Sequence, residues 1–173
     1  MKHLFLVVFV LLSGCTGKPD LEDRSLGGPK LDLETYFDGT VVAYGQFQDV
    51  FGDVRRRFEV EIEGDWNGER LQLVETFAYA DGSDEVRTWT LRKTGPDTWE
   101  GDAAGVIGQA VGEERGDVFN WRYEIDLPVP DGTLRVTFDD WMWRLDERRV
   151  LNRAYMSKFG VPIGEVIIFF EKR

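Results

Sequence analysis

A chain of 173 residues with 32 Asp and Glu against 21 Lys and Arg, a formal charge of −11, is enough for one domain that buries a core without disulfide staples. That acidity argues against nucleic acid, whose phosphates need a basic footprint, and against adhesion to anionic lipid by surface charge. The single cysteine, Cys15, and the single histidine, His3, lie at the N-terminus. The body therefore offers no Ser-His-Asp or Cys-His mechanism and no ordinary zinc site, so no cofactor, metal or enzymatic activity is expected.

The first element is an address. Lys2 and His3 precede an apolar run from Leu4 to Leu12, too short to cross a bilayer. A basic start, an apolar run and small residues before a cut describe a secretory signal over residues 1–14. Leu12-Ser13-Gly14-Cys15 resembles the bacterial lipobox. That resemblance implies that Cys15 is acylated, becomes the first mature residue and anchors the protein to a membrane. Thr16 stands where inner-membrane retention signals have aspartate, so the resemblance implies the outer membrane, with the protein facing the periplasm. Residues 15–30 carry Gly, Pro and charge with little apolar content and read as a flexible tether.

Residues 31–173 read as a single domain. Leu31 to Phe37 predicts one short helix ending at Asp38-Gly39. Beyond it, turn signals recur about every ten residues: Gly52-Asp53, Asn67-Gly68, Asp81-Gly82, Gly95-Pro96, Gly116-Asp117, Asp131-Gly132 and Asp146-Glu147. The segments between them alternate. Phe58, Val60 and Ile62 oppose Arg57, Glu59 and Glu61; Leu71, Leu73, Phe77 and Tyr79 share a face with Glu75; Trp121, Tyr123, Ile125 and Leu127 oppose Arg122, Glu124 and Asp126. The last segment, Glu165 to Phe170, is apolar on both faces and is expected beneath the helix or tether.

About ten strands joined by hairpins, with no helix of crossover length, predict an all-β fold. The favoured form is an antiparallel up-and-down β-barrel, lipocalin- or calycin-like, with a short N-terminal helix. Barrels near this strand number can hold one small ligand. A lipocalin-type Gly-x-Trp occurs at Gly64-Asp65-Trp66, beside a turn after the second strand rather than in the first, and is set aside as coincidence. The glycines from Gly101 to Gly116 punctuate a strand pair and predict a strongly bent barrel corner.

Three stretches carry a resemblance: Asn120-Trp121-Arg122-Tyr123, Phe138-Asp139-Asp140-Trp141-Met142, and Asn152-Arg153-Ala154 with Met156-Ser157-Lys158-Phe159-Gly160. With Gly45-Gln46-Phe47-Gln48-Asp49 and Arg56-Arg57-Phe58, they resemble a bacterial lipoprotein family, the domain of unknown function 3833, from about Leu31 to the C-terminus. The resemblance implies a Gram-negative cell-envelope lipoprotein and supplies no catalytic residues.

Candidate site residues come from polar groups set among aromatics. Asp139-Asp140 could serve acid–base work, but neighbours on a strand point to opposite faces, and an ion pair with Arg122 or Arg153 is the preferred reading. Glu75, on an apolar face, is either paired with a cation or anchors a ligand's polar end. Asn152 and Arg153 beside Asp140, Trp141 and Trp143 suggest a polar clamp at a barrel mouth, or a hydrogen-bonded corner. With Trp121 these complete a ligand-binding set of Glu75, Trp121, Arg122, Asp140, Trp141, Asn152 and Arg153.

The expected function is a lipid-anchored barrel that binds a hydrophobic or amphipathic small molecule, lipids included. That expectation requires a connected cavity. The alternative is a non-enzymatic envelope assembly or protein-interaction factor, marked by an exposed apolar patch. A carboxylate-dependent hydrolase or isomerase would need two acids converging in one pocket.

Overall fold

The computed structural model describes residues 17–21, 27–129 and 132–173; the signal, Cys15, Thr16 and the Asp131 turn signal lie outside the described residues. Among the described residues one helix, α1 (Leu33–Phe37), precedes ten strands: β1 (Gly39–Asp49), β2 (Val54–Trp66), β3 (Arg70–Tyr79), β4 (Asp84–Lys93), β5 (Thr98–Ala103), β6 (Val106–Arg115), β7 (Val118–Val129), β8 (Gly132–Arg144), β9 (Arg149–Lys158) and β10 (Val161–Lys172). Each strand pairs antiparallel with its neighbours in sequence, and β1 pairs with β10 to close the barrel. This is the predicted up-and-down barrel.

The local chemistry follows the turn signals. Asp49, Asn67, Asp81 and Asp146 each accept backbone N–H bonds within their own turns. Such side-chain bonds pre-form a hairpin and fix its register. Period-two alternation then sends one set of side chains into the barrel.

Four hairpin turns and α1 gather at one end, which is closed. Leu31, Leu33, Tyr36 and Phe37 are buried there. Five residues make too short a helix to stand alone, so its ends are held by other elements. Glu114 Oε1 accepts from the Leu33 N–H at 3.0 Å and from Trp99 Nε1 at 2.8 Å. Lys172 Nζ donates to the carbonyls of Thr35, Tyr36 and Asp38 at 3.0, 2.7 and 2.6 Å, satisfying the exposed end of the helix. Lys93 bonds Glu34.

The Gly-x-Trp read as coincidence has a place here. A Cβ on Gly64 would run into the Phe37 carbonyl oxygen, and Trp66 packs edge-on against Trp99 at 5.8 Å. Gly64 leaves the space that the Phe37 backbone occupies as α1 enters the barrel, and the Trp66 N–H bonds Asp38 Oδ1, just past the helix, at 3.1 Å. The bent-corner reading of the glycine stretch is likewise refined. The β6–β7 register shifts between Ile107 and Val111, and a Cβ on Gly112 would come within 2.5 Å of both Phe119 and Trp121. Gly112 thus makes room for two large rings.

One expectation needs correction. The helix does not cover β10; it meets the inner face of that strand, with Phe37 and Phe170 edge-on at 5.7 Å. Outward Ile167 and Phe169 are only half-covered and sit in register with outward Gln46 and Tyr44 of β1.

The opposite end is open. Its rim carries large apolar side chains in water: Phe51 at 87% exposure, Phe159 at 89%, with Val50, Val129 and Val161. Phe51 and Phe159 occupy the β1–β2 and β9–β10 turns, and β1 and β10 are neighbours, so the two lie on one sector of the rim.

Candidate functional site

The barrel interior is not filled by its own side chains. A connected cavity of about 420 Å³ runs from Leu33 and Phe37 at the closed end to Pro128 and Val129 at the rim. That is within the size range of small-molecule pockets. Its walls are mainly aromatic and aliphatic. Trp89, Phe119 and Trp121 lie toward the helix, and Phe47, Phe58, Phe77, Phe138 and Val166 toward the mouth. Ring pairs stiffen these walls: Tyr123 stacks on Phe138 at 5.0 Å and meets Trp89 edge-on at 5.1 Å.

Between the two apolar layers is a polar belt. Glu75 on β3 stands in register with Arg87 on β4; Tyr123 on β7, Asp140 on β8 and Asn152 on β9 complete it. Each reaches the lumen because it falls in the inward phase of its strand.

The belt is electrostatically tense. Burial pushes the Glu75 carboxyl up to about 7, against the pull of the Arg87 charge and with that of Glu85 adding to the rise. Burial also drives the Asp140 carboxyl well above the usual range, reinforced by the nearby charges of Asp139 and Glu75. Tyr123 is raised by burial and by Asp140. Arg87 gives its hydrogen bond to Glu85, at 2.6 Å. Glu85 also accepts from the Tyr79 hydroxyl at 2.9 Å. Asp140 Oδ1 and both amide atoms of Asn152 are buried with no hydrogen-bond partner among the described residues.

The structure divides the sequence-derived site residues. Glu75, Trp121, Asp140 and Asn152 line the cavity. Arg122, Trp141 and Arg153 do not, which corrects the clamp: each is one residue out of phase with an inward neighbour and lies on the outer wall. Arg122 Nε bonds Asp139 at 3.1 Å, the ion pair preferred from the sequence. Arg153 pairs instead with Glu165, at 2.6 Å. Trp141 is 1% exposed yet belongs to neither core cluster.

Asp139 also accepts from Lys18 and Asn120, each at 2.9 Å. Burial raises its carboxyl, but these bonds outweigh burial and hold it below the usual range. Two adjacent aspartates are thus pushed in opposite directions by the two faces of one strand.

Sequence reasoning missed Arg87, Tyr123 and Glu85 as cavity groups. The signal for Arg87 was its register with Glu75 across the Asp81-Gly82 turn. It also gave no warning that two acids, Glu75 and Asp140, share one cavity. Among the described residues, no group of three or more His, Cys, Asp or Glu side chains could hold a metal ion.

The protein family of unknown function DUF3833 matches residues 9–172. The chain belongs to the DUF3833 family. No curated protein matches the sequence. Among solved structures, an S-type phycobiliprotein lyase from Guillardia theta superposes with a TM-score of 0.60 at 5% identity, covering 81% of this chain and 90% of that one. A redesigned β-barrel, mFAP1, bound to DFHBI, superposes with a TM-score of 0.42 at 11% identity, over 81% of this chain and 97% of that one. What this chain shares with the lyase is the fold alone, a closed antiparallel β-barrel.

Proposed function

We propose that this DUF3833 protein is a lipid-anchored barrel of the cell envelope that binds a hydrophobic or amphipathic small molecule, lipids included. The connected cavity carries this reading: an apolar space open at one end and closed by α1 at the other. Acylation of Cys15 would tether the barrel to the outer membrane, facing the periplasm, and the apolar rim would receive the ligand. The test is native mass spectrometry with lipid extraction on the full-length protein purified from its own envelope. A stoichiometric co-purified amphiphile is expected. A clean apo mass, with no thermal shift across a panel of lipids and fatty acids, would overturn the binding reading and move the search to a protein partner at the rim. Loss of membrane association in Cys15→Ser protein tests the anchor separately.

The convergence of Glu75 and Asp140 favours a second reading, acid–base chemistry on a bound substrate. A co-purified species that changes mass on incubation with wild-type protein, and not with Glu75→Gln protein, would select it.

A further inference from the structure

We infer that the cavity selects an amphipathic ligand whose polar group is uncharged and both donates and accepts hydrogen bonds, a hydroxyl or a primary amide, over one ending in a carboxylate or phosphate. This rests on the reading of the barrel as a small-molecule binder and concerns what that binder accepts.

Among the described residues, two cations line the cavity wall, Arg56 and Arg87. Both are engaged. Arg87 bonds Glu85 at 2.6 Å and faces Glu75 in register. Arg56 donates to Ser83 at 3.0 Å, lies 3.9 Å from Asp81, and rests 3.3 Å above the Tyr79 ring. Neither guanidinium is left without an acid to balance an incoming anion. Three acids line the same space, Glu75, Glu85 and Asp140. At about pH 7.5 Glu75, raised only to about 7, is largely ionised, so an anionic head group at mid-height would meet its like charge in a site screened from water, while Asp140, raised by burial, supplies no cation to offset it.

A neutral polar group meets the opposite situation. Asn152 is fully buried and carries one donor and one acceptor set, neither bonded. Asp140 Oδ1 is also unbonded, and a buried polar atom without a partner is costly. A hydroxyl or amide can bond both kinds of atom without bringing charge. The apolar layers on either side of the belt accommodate the rest of an amphipath.

The experiment uses the full-length protein stripped of co-purified lipid, and displacement of the neutral dye N-phenyl-1-naphthylamine by dodecane, dodecanol, dodecanamide and dodecanoate at about pH 7.5. These probes share one chain length and differ at the terminus. Dodecanol and dodecanamide are expected to bind about tenfold or more tighter than dodecanoate. In Glu75→Gln/Asp140→Asn protein, a near-isosteric pair of changes, dodecanoate should gain several-fold while dodecanol holds. A merely structural role for the acids would weaken all probes alike. Dodecanoate binding as tightly as dodecanol in the wild type would overturn the inference while leaving the binding reading intact. Failure of the dye and of every probe, dodecane included, would overturn the binding reading and this inference with it.

Discussion

The two ends of the barrel are built to opposite rules. At the closed end Glu114, buried, satisfies two donors at once, Lys172 collects three carbonyls, and Trp66, Trp99, Tyr36 and Phe37 pack against one another or their neighbours. At the open end Phe51 and Phe159 stand almost wholly in water. Closure by an inserted helix concentrates stability at one end and leaves the other free to carry side chains that the fold does not need. The polar belt lies between, where burial is deep but partners are incomplete.

The comparison breaks most sharply at Gly64. A methyl group there meets a backbone oxygen, which no rotamer change relieves. Gly64→Ala should push α1 out of the barrel and cost about 4 kcal/mol, at the upper end of what overpacking does. Val50→Ala at the rim should cost less than about 0.5 kcal/mol. Urea denaturation of the two variants measures the contrast, and equal losses would show that the helix does not hold the closed end.

The belt predicts the next largest effect through pH. The Glu75 carboxyl moves from 4.5 to about 7 on folding, raised first by burial. A raised acid keeps its proton in the folded state while the unfolded chain loses it. Its contribution is therefore fully present below about pH 4.5 and is lost as pH rises toward 7. The shift corresponds to about 3 kcal/mol. Asp140, also raised, acts in the same direction. Arg87 stays charged throughout, and Glu85 and Asp139, held low, act below this window. Wild-type protein should be less stable at pH 8 than at pH 5, and Glu75→Gln protein should lose the Glu75 share of that slope while Asp140 keeps its own. A wild-type stability that stays level or rises across that range would mean that Glu75 is solvated rather than buried.

The architecture was legible because turn chemistry and alternation are local. Asn67-Gly68 and Asp81-Gly82 state their hairpins outright, and Trp121, Tyr123 and Ile125 state their common face. Half of the candidate site was legible for the same reason: Glu75 sits in phase with Leu73 and Phe77. The clamp failed where adjacency in sequence was read as adjacency in space. Asn152 and Arg153 look like one motif, yet the pleat sends one into the cavity and the other to Glu165. The meeting of Glu75 and Asp140 was not legible, because β3 and β8 touch only across the lumen, and barrel curvature, not pairing, brings their inner faces together.

The smallest effect sharpens the comparison from the open end, and it has the unusual sign. Phe159 has φ of +50°, followed by Gly160 at +77°, a tight turn that favours Asn-Gly. A bulky residue in the left-handed region costs about 1–2 kcal/mol, and at 89% exposure the Phe159 ring returns almost none of it through burial. Such strain in a side chain that meets little more than the Lys158 ammonium, 5.7 Å from its ring, points to a use outside the fold. Phe159→Asn should therefore raise stability by about 1 kcal/mol in urea denaturation. The same variant, alone or with Phe51→Ser, should slow the transfer of a bound amphiphile from vesicles into the barrel while leaving its equilibrium affinity unchanged. A slower on-rate with greater stability separates a rim that serves the cavity from one that serves the fold. If the variant loses stability, Phe159 belongs with the closed end's logic after all, and the two ends are less different than their exposure implies.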